Sequence, residues 1–80
     1  MLRWIFQRDG RAITCELAAR SSHSYELRVV PHWNASAAVV ARFNRALIAI
    51  EGHAAIASGL RERGWVVIDH AVPDYVGIAA

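Results

Sequence analysis

Two adjacent residues, Asp9 and Gly10, flanked by Arg8 and Arg11, limit what this 80-residue chain can fold into more than any others. Asp-Gly supplies the two positive-φ positions of a type I′ turn, whose twist matches that of the antiparallel strands it joins. Setting Arg8 opposite Arg11 fixes every remaining pair. Phe6 then faces Ile13, Trp4 faces Cys15 and Leu2 faces Leu17, while Gln7 faces Ala12, Ile5 faces Thr14 and Arg3 faces Glu16. The first set is wholly apolar and the second mostly polar with an ion pair, as a half-buried antiparallel sheet requires. A slip of one residue exchanges the faces, so the pattern selects this register.

The polar turn at residues 20–24 precedes a third strand over residues 25–30, where Tyr25, Leu27 and Val29 alternate with Glu26 and Arg28. Pro31 ends it. With Leu17 against Leu27, Glu16 meets Arg28, and Arg3, Glu16 and Arg28 cross the outer face as a stripe of alternating charge.

Asn34 or Ser36 is then expected to cap a helix that continues through Arg42 and Arg45 to about Glu51. At about 100° per residue, Val39, Val40, Phe43, Ala46, Leu47, Ile50 and Ala54 share one broad face, and Asn44, Arg45 and Glu51 lie outside it. Ile56 and Leu60 project elsewhere, so the helix is expected to kink or split at Gly52. Its second piece, residues 53–63, ends in a left-handed cap at Gly64. Residues 65–68, Trp-Val-Val-Ile, read as a fourth strand whose unbroken apolarity implies cover on both faces. A right-handed crossover sets that strand parallel to the first or third, whereas a second helical segment reverses it.

The expected fold is therefore α+β, with order β-β-β-α(α)-β: a three-stranded antiparallel meander, a helix (kinked or split at Gly52) packed on one face, then a fourth strand. Residues 1–72 form one small domain, and residues 73–80, opening with Pro73-Asp74, a flexible tail.

Composition narrows the function classes. The chain is 55% hydrophobic and 20% charged, apolar for a domain too small to bury much of it, which favours contact with another protein surface. A homodimer is the economical form of that contact. All nine basic residues are Arg, as a GC-rich bacterial genome would encode, and the net charge of +2 is too small to demand a polyanionic partner. A single Cys15 excludes an internal disulfide, residues 1–7 do not read as a signal peptide, and Arg42, Asn44 and Arg45 interrupt the most apolar stretch. The expectation is a cytoplasmic protein without a membrane partner.

No catalytic, cofactor or metal residues stand out, so the chain reads as a non-enzymatic protein. No two of His23, His32, His53 and His70 share the spacing that aims two imidazoles at one ion. Asp69 and His70 point to opposite faces of a strand. Cys15 falls on the buried face, where a thiol behaves as a small hydrophobe, and the five isolated glycines form no phosphate loop. The leading reading is a protein-interaction module that self-associates, with Ile5, Val30, Ile48, Ile56, Trp65 and Val67 as its candidate surface. The alternative is nucleic-acid binding through Arg3, Gln7, Thr14 and Arg28 on the outer sheet face. Glu16 and Glu26 on that face, and the scatter of the other arginines, weigh against it.

Overall fold

The computed structural model describes residues 2–71; the tail expected at 73–80 lies outside the described residues. Five strands form one sheet: β1 (Leu2–Arg8), β2 (Arg11–Ser21), β3 (Ser24–Pro31), β4 (Val39–Phe43) and β5 (Val66–Ala71). A 3-10 turn, Ala35–Ala37, precedes β4, and one helix, α1 (Ala46–Glu62), separates β4 from β5. The sheet order is β4-β3-β2-β1-β5, every neighbouring pair antiparallel. The fold is α+β, with the first strands in a meander and a helix packed on one face. Among the described residues no helix is long and apolar enough to cross a membrane.

The hairpin has the register that Asp9-Gly10 dictates, from Arg8 against Arg11 through Leu2 against Leu17. Asp9 and Gly10 take φ values of 50° and 77°, the left-handed pair a type I′ turn needs. Leu17 meets Leu27 and Glu16 meets Arg28 in the next ladder.

The chain departs from expectation after Pro31. Residues 39–43 are not helical; they pair with β3, from Val29 against Val39 to Tyr25 against Phe43. Val39, Ala41 and Phe43 share one face of this strand, and β-branched Val39 and Val40 suit it. The same apolar spacing also fits a helix, which is why periodicity alone misassigns it. Asn34 and Ser36 cap no α-helix: the Ser36 hydroxyl donates to Asn34 Oδ1 at 2.6 Å around the 3-10 turn. The helix instead begins after Asn44-Arg45, with Arg45 extended at its N-cap.

That shift resets the phase of the helix. Its buried residues are Ala49, His53, Ala57 and Leu60, while Leu47 is 67% exposed and Ile50 and Ala54 also face solvent. The helix runs unbroken through Gly52, so neither kink nor split occurs. Gly52 serves close packing: a Cβ there would stand 3.2 Å from Phe43 Cζ. The helix closes in a Schellman motif, with Gly64 at φ 90°, its N–H donating to Arg61 O, and the Trp65 N–H donating to Leu60 O.

β4 also decides the direction of the last strand. One extra reversal starts the helix at the opposite end of the sheet, so β5 returns antiparallel to β1. It forms an edge, not a doubly covered centre, and Val66 and Ile68 are exposed. The core joins Phe6, Ile13, Cys15, Leu17 and Leu27 of the sheet to Ala49, Ala57 and Leu60 of the helix. Small helix residues bring the two layers close.

Candidate interaction surfaces

The sheet face away from α1 carries the residues of the outer register. Arg3, Ile5, Thr14, Glu16, Arg28 and Val30 line a shallow depression of about 290 Å³. Glu16 sits between its cross-strand neighbours Arg3 and Arg28, yet no direct ion pair holds either arginine among the described residues. Gln7 is exposed beside them. Glu26 is engaged: it accepts a 2.8 Å hydrogen bond from Arg20 and lies 3.6 Å from Arg42. The Arg20 contact holds its carboxyl below the usual carboxylate range, against the opposing effect of burial.

His32, just past the end of β3 and absent from the expected outer face, joins it. Its Nε2 lies 2.6 Å from Thr14 Oγ1, and its main-chain N–H donates to Ala12 O at 2.9 Å. The signal was the two-residue alternation of β3, which carries the side of Val30 on to His32.

A second surface lies along β4. Val39 is on the helix-side face but 63% exposed, because the helix leaves this edge uncovered. Between strand and helix runs an apolar groove of about 430 Å³, lined by Val29, Val39, Ala55, Ile56, Gly59, Leu60 and Arg63.

A third cluster sits at the hairpin tip. Trp33 stacks on Trp65 with ring centroids 6.1 Å apart and planes 17° from parallel, and the Arg11 guanidinium stands 5.1 Å from the Trp33 ring. Trp65 is placed there by the Schellman turn that ends α1, and Arg8 and Asp9 form an exposed 3.4 Å ion pair beside it. The stack covers its own faces, leaving Arg8, Asp9, Arg11 and Trp65 around a shallow depression of about 340 Å³.

Among the described residues, Cys15 and His53 are titratable groups buried between the sheet and the helix. Burial pushes the Cys15 thiol up to about 11, so its nucleophilic thiolate is scarce near neutrality. Burial likewise lowers the His53 pKa, with a main-chain hydrogen bond to Cys15 acting the other way. Among the described residues no three His, Cys, Asp or Glu side chains cluster as a metal site would need.

The six residues singled out as an interaction surface occupy different places. Ile5 and Val30 share the outer depression. Ile48 is exposed on the helix, and Ile56 lines the β4 groove while packing on the core. Trp65 belongs to the tip stack, and Val67 faces inward opposite Phe6. Arg3, Thr14 and Arg28 do come together, with Gln7 on the same face. Besides His32, the sequence reading missed Val39 and Val40, hidden in a segment read as a core helix. Comparison of the chain with family models, curated proteins and solved structures returned no significant match.

Proposed function

We propose that this protein is a non-enzymatic interaction module whose principal partner is a second copy of itself. One observation carries the reading: among the described residues, eight large apolar side chains stand exposed, from Ile50 at 43% to Leu47 at 67%. Single exposed aliphatics are ordinary. Here Val39 lines an apolar groove, Val40 follows it on the outer face of the same edge strand, and Val66 and Ile68 lie on the opposite edge, a concentration of apolar surface that marks association sites. A cytoplasmic location accords with the lone Cys15, buried and unpaired. Sedimentation velocity over a range of protein concentrations tests the proposal. A species near twice 8.8 kDa that dissociates on dilution is the expected result, and a monomer at high micromolar concentration overturns it.

A second reading, nucleic-acid binding across the outer face, draws on Arg3 and Arg28 flanking one depression with Thr14. Glu16 between them opposes a polyanion, so this reading ranks below the first. It requires duplex DNA binding that weakens steeply with salt and again on Arg28→Ala. Indifference to both dismisses it.

A further inference from the structure

We infer that two copies join edge to edge through β4, pairing antiparallel about a two-fold axis at Ala41. This rests on the self-association proposed above and names its surface. β4 is an edge strand, so one side of its main chain has no strand neighbour among the described residues. Natural edges are ordinarily blunted by bulges, prolines or charges. β5 carries such a device in its irregular register against β1 between Ile5 and Phe6. β4 pairs regularly with β3 over five residues, contains no proline, and has Arg42 as its one charge.

Symmetry selects the register. A two-fold axis perpendicular to the sheet keeps each face on its own side, so opposed residues must share a face. Centring on Ala41 satisfies this for the whole strand: Val39 opposes the partner's Phe43, and Val40 opposes the partner's Arg42. Val40 and Arg42 are both on the outer face, and Glu26, already 3.6 Å from Arg42, offsets the approach of two arginines. Centring on Val40 pushes Arg42 against Ala38, beyond the strand.

Main-chain pairing over five residues falls short of the roughly 800 Å² per partner that a specific interface buries. The helix flank supplies more. Ile48, Ala55 and Gly59 fall within about 40° of one another around the helix, and Ala55 and Gly59 border the groove beside Val39. The same axis places both helices on one side of the continuous sheet, flank toward flank, and closes the groove with apolar surface.

The test compares light-scattering mass for wild type, Val39→Lys on β4 and Val66→Lys on β5, with far-UV circular dichroism to verify folding. Both positions are more than half exposed, and a symmetric interface feels the new charge twice. Val39→Lys is expected to weaken dimerisation by about tenfold or more, and Val66→Lys to leave it unchanged. Should Val39→Lys unfold, Ile48→Glu on the exposed flank replaces it with the same expectation. A wild-type dimer that tolerates both Val39→Lys and Ile48→Glu, or one broken by Val66→Lys, overturns the β4 pairing while self-association stands. A monomeric wild type overturns both.

Discussion

His53 meets Trp4 edge to face, ring centroids 5.2 Å apart at 88°, and its buried Nε2 has no hydrogen-bond partner among the described residues. A protonated imidazole there loses its hydration without a compensating acceptor at Nε2. The folded pKa is accordingly depressed, and the folded state binds fewer protons than the unfolded chain as pH falls through about 6.5. Stability is thus whole above that pH and declines on acidification until the folded imidazole titrates as well. Urea denaturation between about pH 7.5 and pH 5 should show this decline, and His53→Leu should flatten it. An unchanged pH profile in the variant would contradict the assignment.

The Cys15 thiol is fully buried, and its raised pKa suppresses the thiolate. Reaction with a thiol reagent at neutral pH should be slow in the native protein and fast in denaturant. Rapid native labelling would place the thiol outside the core.

Two glycines of α1 should respond differently to Ala. At Gly59 a Cβ meets nothing within 4 Å, so Gly59→Ala should stabilise the fold by about 0.5 to 1 kcal/mol through backbone entropy. At Gly52 the added Cβ would crowd Phe43 at 3.2 Å and touch Leu27 at 3.5 Å, offsetting the same gain. Denaturation midpoints should rank Gly59→Ala above wild type and above Gly52→Ala.

Among the described residues Phe6 is the largest fully buried side chain. Its truncation to Ala should cost about 3 to 5 kcal/mol, a large share of the roughly 4 to 12 kcal/mol expected for a chain of this size. Trp33→Ala removes a half-exposed ring that stacks on Trp65 and meets the Arg11 guanidinium, so its cost should stay near 1 kcal/mol. Chemical denaturation that ranks the two in reverse order would contradict the core assignment.

The first three strands were legible because a two-residue turn with forced φ values coupled local geometry to facial alternation over many pairs. Asp9-Gly10 fixed the hairpin, and Leu17 against Leu27 extended it. Residues 39–43 were not legible, since Val39, Val40 and Phe43 fit either period and only pairing with β3 decides between them. That one segment carried two further errors, the buried face of the helix and the kink at Gly52, and it left the direction of β5 open. Gly64, by contrast, was readable as a cap because a left-handed position after Arg61 and Arg63 has few other uses. The candidate surface was only half legible. Arg3, Thr14 and Arg28 came together on the outer face, whereas Val39 and Val40 were assigned to the core.

Amide hydrogen exchange along β4, read at low and at high micromolar protein, tests self-association and its surface together. Outward N–H groups within Val39–Phe43 should gain protection as concentration rises, while those of β5 stay unchanged. Exchange in β4 that is fast and independent of concentration would contradict the account.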